Sequence, residues 1–221
     1  HIDVVVRGEG ELTFKELLMK LMKDDRDFRD ILGITYRVGD GVRENPPRPL
    51  IRNLDDAPLP AYDLLPMDKY RVGKLKFGAI ITSRGCPYSC IFCSSSLQFG
   101  KKWRAHSVDR VLEELRILRY EYGRQEIEFL DDTFTLNKKR AIAIAEKIVE
   151  EGLDISWSAS SRVNTFSCEV GSAMHRAGAH TVYFGIESGS EQTLKFIDKR
   201  ITKEQAMDAT RAAKECGLRA L

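Results

Sequence analysis

The chain has 221 residues, of which 43% are hydrophobic and 31% are charged, and its formal net charge at pH 7 is +2. These values are ordinary for a globular chain of one domain or somewhat more, and so small a net charge does not indicate a nucleic-acid partner. No apolar run approaches the ~20 residues of a membrane span, and free cysteines without a secretory segment indicate a reducing, cytoplasmic compartment.

The first 44 residues predict a small mixed unit. Thr13 followed by Glu16 has the spacing of a helix capping box. The predicted elements are a strand over 2–6, a helix from Thr13 to about Lys23, and a hairpin with strands at 34–38 and 41–43. The chain begins with His1 and ends inside a predicted strand, so we expect a fragment of a longer protein.

Residues 45–66 hold six of the seven prolines. Proline removes a backbone donor and fixes φ, so this stretch is predicted to be a linker rather than a helix or a central strand. The chain is therefore divided into residues 1–44, a linker over 45–76, and a larger unit over 77–221.

From residue 78 onwards, strand and helix patterns alternate. The predicted strands cover 79–83, 126–130, 155–159, 181–186 and the residues from about 218; the predicted helices cover 107–122, 137–151, 167–177, 190–197 and 202–217. Regular alternation predicts an α/β fold with a parallel sheet and right-handed crossovers. Both an open sheet and a partial barrel agree with this pattern.

Three cysteines, Cys86, Cys90 and Cys93, have C-x3-C-x2-C spacing directly after the first predicted strand of this unit. Thiolates hold iron–sulfur clusters, and a [4Fe–4S] cube has four irons to ligate. Three local thiolates therefore leave one iron open to a small molecule.

Other interpretations of these cysteines fit less well. Structural zinc is almost always four-coordinate, and the next histidine, His106, is thirteen residues beyond Cys93. Five cysteines are an odd number for a disulfide framework. Cys168 and Cys216 are interpreted as ordinary buried thiols.

Polar residues lie at or after the ends of the first four predicted strands, where parallel α/β folds bind their ligands. After the cysteine loop these are Asp131, Asp132, Ser158, Ser160, Ser161, Arg162, Glu187 and Ser188. We expect them to share one rim with the three thiols.

The segment Arg84–Cys93 (RGCPYSCIFC) resembles the signature loop of the radical S-adenosylmethionine (SAM) enzymes. It is most similar to the branch that usually carries a cobalamin-binding domain in front, which includes magnesium-protoporphyrin monomethyl ester cyclase-like proteins. Four other segments add to the resemblance: 7–11, 54–60, 129–134 and 184–189. The resemblance implies a partial (β/α)6 TIM-like barrel, preceded by the tail of a cobalamin-binding-type domain and the proline-rich linker.

The resemblance also implies roles for individual residues. The three cysteines would hold a [4Fe–4S] cluster, and Asp131 or Asp132 would contact the SAM amino group. Arg162 would pair with the SAM carboxylate, Glu187 with the ribose hydroxyls, and Phe92 would pack near adenine; Ser158 and Ser188 complete the predicted cofactor-binding set. Catalytic side chains and the substrate are not identified.

The implied reaction is reductive cleavage of SAM to methionine and a 5′-deoxyadenosyl radical, which takes a hydrogen atom from the substrate. The electron would come from a donor such as a flavodoxin or ferredoxin. The cobalamin lower-ligand motif Asp-x-His-x-x-Gly is absent, so cobalamin is expected only in the full-length protein.

Two alternatives stay open at this point. One is an RNA-modifying methylthiotransferase-type enzyme, because 101–104 (KKWR) is basic with one aromatic residue; a solvated loop is the simpler interpretation of that stretch. The other is a non-catalytic metal-binding module.

Overall fold

The computed structural model describes residues 2–221. The strands are β1 (Val4–Val6), β2 (Ile34–Val38), β3 (Gly41–Glu44), β4 (Arg71–Val72), β5 (Leu75–Ile80), β6 (Ser83–Arg84), β7 (Arg104–Ala105), β8 (Glu126–Phe129), β9 (Ser156–Ser161), β10 (Ala179–Phe184) and β11 (Arg219–Ala220). The α-helices are α1 (Gly10–Leu21), α2 (Ser95–Gln98), α3 (Val108–Arg116), α4 (Lys138–Glu150), α5 (Cys168–Arg176), α6 (Glu191–Phe196) and α7 (Lys203–Glu215). Within residues 2–221, no helix has both the length and the apolar character needed to cross a bilayer.

The main sheet has the strand order β11-β10-β9-β8-β5-β4. Strands β5, β8, β9, β10 and β11 are parallel to their neighbours, whereas β4 pairs antiparallel with β5 at one edge. Each parallel strand lies beside its predecessor in the chain, without the reversal of order that defines a doubly wound sheet. This order is that of a barrel wall, so the predicted partial α/β barrel is confirmed.

The core of the barrel wall lies between the sheet and its helices. Trp157 of β9 is fully buried, and its ring lies 4.8 Å from that of Phe129 and 5.5 Å from that of Phe134. Edge-to-face contacts of this kind add to the stabilisation that the buried area provides. The polar residues described below lie at and after the carboxyl ends of these strands.

Residues of the first unit form their own small core. Strands β1, β2 and β3 make an antiparallel sheet, and the predicted β2–β3 hairpin forms, with Val38 opposite Gly41. The core residues are Leu17, Phe28, Ile31, Ile34 and Tyr36. The division into 1–44, 45–76 and 77–221 stays a prediction.

Two predicted elements begin at the wrong residue, and the strand predicted over 181–186 lies two residues earlier, at Ala179–Phe184. Helix α1 begins at Gly10 after Glu9, so Thr13 is not its cap. The Thr13 hydroxyl instead donates to the carbonyl of Leu32 at 3.1 Å and accepts from Arg48 Nε at 2.8 Å. The predicted capping box does not form, because the Thr13 hydroxyl is hydrogen-bonded to Leu32 and Arg48 instead.

The strand predicted over 79–83 lies earlier, at Leu75–Ile80, because β4 extends it backwards through a tight hairpin. Thr82 and Ser83 then leave the sheet, and Ser83 begins β6, which pairs with β7. The later helix starts are confirmed: side chains cap α3, α4, α6 and α7 at Ser107, Asn137, Ser190 and Thr202.

Candidate functional site

A cavity of about 440 Å³ opens at the carboxyl ends of the parallel strands. Most of the predicted site residues lie on its wall. The lining is Cys86, Cys90, Phe92, Cys93, Ser95, Asp132, Thr133, Ser160, Ser161, Arg162, Tyr183, Phe184, Gly185, Ile186, Glu187 and Lys199. The three motif cysteines therefore share one cavity with an arginine, a lysine and two carboxylates.

The cysteine loop is fixed at both ends by the short β6–β7 ladder, in which Ser83 pairs with Ala105. Gly85 precedes the first cysteine with φ of +86°, and a Cβ there would lie 2.6 Å from the carbonyl oxygen of Lys102. Only glycine fits so close an approach in this conformation. Glycine at position 85 is thus required by the returning segment that closes the loop.

The buried carboxylate of Glu9 binds to both strands of this ladder. Glu9 accepts hydrogen bonds from Arg104 Nη1 at 2.8 and 3.0 Å, from Arg84 Nη1 at 3.2 Å and from the backbone N–H of Ile51 at 2.7 Å. The side chains of Glu9 and Arg104 are 3% and 6% exposed. Arg104 is consequently an internal partner of the first unit, and the interpretation of 101–104 as a solvated or RNA-binding loop is wrong for its arginine.

The electrostatic environment of the first thiol disfavours its charged form. Burial raises the pKa of Cys86, the nearby Asp132 carboxylate raises it further, and Arg162 acts in the opposite sense. A cysteine binds a metal ion as its thiolate. Binding of a metal at Cys86 therefore releases a proton that this environment otherwise retains.

Arg162, directly after β9, lines the cavity. Its Nη1 lies 3.7 Å from Cys90 Sγ, its guanidinium lies 3.6 Å from the centre of the Tyr88 ring, and Nη2 donates to the carbonyl of Lys199. Arg162 is 5% exposed. Its position next to the cysteine loop agrees with a cofactor-site residue, although part of its hydrogen-bonding capacity is already used.

The cavity wall beside Phe92 contains a charged pair, Glu187 and Lys199, of which the sequence analysis identified only Glu187. Lys199 Nζ donates to Glu187 Oε1 at 2.9 Å and lies 5.7 Å from the centre of the Phe92 ring. Glu187 has φ of +69°, an uncommon conformation for a residue with a side chain. Gly185 leaves room for the pair, since a Cβ there would lie 2.7 Å from Lys199 Nζ.

Lys199 was missed because it lies between Asp198 and Arg200, in what reads as a charged surface turn. Its side chain is in fact only 7% exposed. No local pattern marks it, because its partner lies twelve residues earlier on another loop.

Three predicted residues do not line the cavity. The Asp131 carboxylate accepts from the backbone N–H groups of Thr82 and Ser83 at 2.6 and 3.2 Å and from their hydroxyls at 2.7 and 2.6 Å. Burial raises the pKa of Asp131, and these donors oppose that effect. Ser158 is buried within β9 between Glu128 and Thr181, and the Ser188 hydroxyl accepts from the N–H of Ser190 at 3.1 Å. Their roles at the cofactor remain predictions.

Comparison with known proteins places this geometry in a family. Residues 80–220 match the model of the radical SAM superfamily. An uncharacterized methyltransferase of Pyrococcus horikoshii is 64% identical over 220 residues, covering 100% of this chain and 48% of the relative. An anaerobic magnesium-protoporphyrin IX monomethyl ester cyclase of Synechocystis sp. is 30% identical over 202 residues, covering 90% of this chain and 40% of the relative.

A solved structure also matches this chain over almost its whole length. OxsB, a cobalamin-dependent SAM radical enzyme whose structure contains aqua-cobalamin and SAM, superposes with a TM-score of 0.82 at 28% identity. The match covers 98% of this chain and 32% of OxsB. The predicted resemblance to the cobalamin-associated branch is confirmed. The chain spans less than half the length of these proteins.

Proposed function

Because this chain belongs to the radical SAM superfamily, we propose that its cavity holds a [4Fe–4S] cluster on Cys86, Cys90 and Cys93, with SAM beside it. The observation that carries the proposal is that all three thiols line one cavity at the carboxyl ends of parallel strands. Three thiolates suit a cluster with one open iron, and the polar wall suits a ligand with an amine, a carboxylate and a ribose. When bound, the cluster and SAM supply reductive carbon–sulfur cleavage and hydrogen-atom abstraction.

The side chains of the wall bind and orient the cofactor in this proposal. Asp132 faces the cavity and carries the negative charge that an amino group requires, whereas Asp131 is engaged by Thr82 and Ser83. Arg162 lines the cavity, and its Nη1 lies 3.7 Å from Cys90 Sγ. We assign the SAM amine to Asp132 and the SAM carboxylate to Arg162.

The Glu187–Lys199 pair beside Phe92 orients the nucleoside end. Glu187 offers carboxylate oxygens to ribose hydroxyls, and Lys199 limits its motion through their hydrogen bond. Phe92 is 54% exposed on the cavity wall and presents an apolar face suited to adenine. Positioning of this kind, rather than proton transfer by the protein, is the contribution expected of a cofactor enzyme.

For the whole protein we propose a cobalamin-assisted radical SAM reaction of the methyltransferase type. The support is the methyltransferase relative and the cobalamin recorded in OxsB. A flavodoxin or ferredoxin would deliver the electron in the cytoplasm, and the substrate would be a small molecule. The chain over 1–221 is not expected to bind cobalamin tightly by itself.

The experiment is anaerobic reconstitution with iron and sulfide, reduction, and electron paramagnetic resonance with and without SAM. We expect a [4Fe–4S]⁺ signal that changes when SAM is added. The Cys90→Ala variant should lose the signal, and the Cys168→Ala variant, which alters a cysteine outside the cavity, should retain it. A four-iron cluster in Cys90→Ala, or bound zinc without iron in the unaltered chain, would contradict the proposal.

A further inference from the structure

The two cysteines outside the cavity lining form a pair on the outer, helical layer. Cys168 is the first residue of α5, and Cys216 directly follows α7. Their Sγ atoms are 3.0 Å apart although the residues are 48 positions apart in the chain. Cys168 is exposed and Cys216 is buried, so the expectation of two ordinary buried thiols is wrong for Cys168.

We propose that Cys168 and Cys216 form a reversible disulfide, a redox-modification site separate from the three cysteines of the cavity. A disulfide requires the sulfurs to approach from 3.0 Å to about 2.04 Å. This is a displacement of about 1 Å, which side-chain rotation can supply at the ends of two helices.

The surroundings of the pair favour one order of reaction. Cys168 is accessible to a reagent in solution, whereas Cys216 contacts the Ser172 hydroxyl at 3.3 Å and the Cys168 carbonyl at 3.3 Å. Cys168 is therefore the attacking thiol and Cys216 the resolving thiol. An accessible thiol beside a resolving thiol is the arrangement typical of redox-sensitive cysteines.

The step needs a low-molecular-weight disulfide as oxidant. The Cys168 thiolate attacks one sulfur of that disulfide and releases the first small thiol. The Cys216 thiolate then attacks the Cys168 sulfur of the mixed disulfide and releases the second. The protein loses two protons and two electrons, and the oxidant is reduced to two thiols.

Both cysteines belong to the part of the chain that builds one wall of the cavity. The loop that the disulfide closes runs from 168 to 216 and includes β10, Glu187 and Lys199. Closing a loop of this length restricts the unfolded chain, and stabilisation by a native disulfide of this kind corresponds to a rise in Tm of about 5–15 °C.

The hydrogen bond with Cys216, followed by burial, raises the pKa of Cys168, so exchange should become faster as the pH rises above neutrality.

The test is to equilibrate the cluster-free chain with oxidised glutathione at pH 8.5, block free thiols with iodoacetamide, digest with trypsin without reduction, and analyse the peptides by mass spectrometry. Cys168 lies in the tryptic peptide 163–176 and Cys216 in 215–219, whereas the three cavity cysteines share peptide 85–101. We expect 163–176 linked to 215–219 within one chain. Reduction should abolish both the link and the rise in Tm.

Cys168→Ser and Cys216→Ser are the matched controls and should show neither the link nor the change in Tm. Since Cys168 is exposed, its variant should fold normally, which circular dichroism would verify. The proposal is overturned if both peptides are recovered fully alkylated after oxidation. It is also overturned if Cys168 links to peptide 85–101, or if the link joins two chains.

Discussion

Asp131 and Asp132 are adjacent in the chain, yet their carboxylates lie in opposite environments. Asp131 is enclosed by Thr82 and Ser83, which offer it two N–H groups and two hydroxyls. Asp132 is exposed on the cavity wall, where Ser95 donates to it. One aspartate therefore ties β8 to the start of the cysteine loop, and the next is available to a ligand.

This contrast predicts different phenotypes for two matched substitutions. Asp131→Asn should lower the free energy of unfolding by roughly 3 kcal/mol, because the amide N–H₂ would face buried donors. Asp132→Asn should change stability by less than about 0.5 kcal/mol and weaken SAM binding to the reconstituted protein. Urea unfolding of the cluster-free chain and equilibrium dialysis with SAM measure the two effects. Equal destabilisation by both variants would contradict the assignment.

Lys199→Met tests the charged pair of the cavity. Without the Lys199 ammonium, the Glu187 carboxylate is no longer held in place for the ligand. Because one charge-assisted hydrogen bond is lost, we expect about tenfold weaker SAM binding. Iron content should be unchanged, because the cysteine loop is not altered. Lys195→Met, an exposed lysine of α6, is the control and should bind SAM normally. Normal binding by Lys199→Met would exclude the proposed role.

Glu9→Gln tests the support beneath the cysteine loop. The substitution leaves Arg104 and Arg84 without their shared buried counter-charge, and loss of one partner of a buried ion pair costs about 3–5 kcal/mol. Glu44→Gln is the comparison, because the Glu44 side chain is 67% exposed and such pairs contribute about 0–1 kcal/mol. Chemical denaturation of both variants would compare them directly. An equal decrease in the free energy of unfolding of both variants would show that Glu9 stabilises the protein no more than an exposed ion pair does.

Stability should also depend on pH through His106, whose Nδ1 lies 3.0 Å from Asp55 Oδ1. Burial lowers the pKa of His106, and Arg110 and Arg84 act in the same sense, against the effect of Asp55. Because the folded-state pKa lies below the unfolded value of about 6.5, the unfolded chain binds more protons in the window between the two values. The free energy of unfolding therefore falls as the pH drops below about 6.5 and is constant in this respect above it.

The His106→Asn variant isolates this contribution. Its free energy of unfolding should decrease less than that of the unaltered chain between pH 7 and pH 5. Urea titrations at several pH values measure the difference. Parallel pH profiles for the two proteins would mean that His106 does not supply the dependence.

Local patterns predicted much of the fold. Capping residues such as Asn137 and Thr202 mark helix starts because they satisfy the first free N–H groups. Hydrophobic periodicity identified the alternating strands and helices, but it left an open sheet and a barrel equally acceptable. That choice depends on which strands are neighbours, and strand neighbours are a long-range property.

The sequence by itself determined the family, the cysteine motif and the rim on which the polar residues gather. It did so because ligand spacing and strand–helix alternation are local and leave a direct record in residue order. Only the tertiary structure decided that Asp132 rather than Asp131 faces the cavity, that Lys199 pairs with Glu187, that Glu9 supports Arg104, and that Cys168 meets Cys216. Each of these pairings joins or separates side chains according to how distant elements pack, and packing across such separations has no periodic signature in the chain.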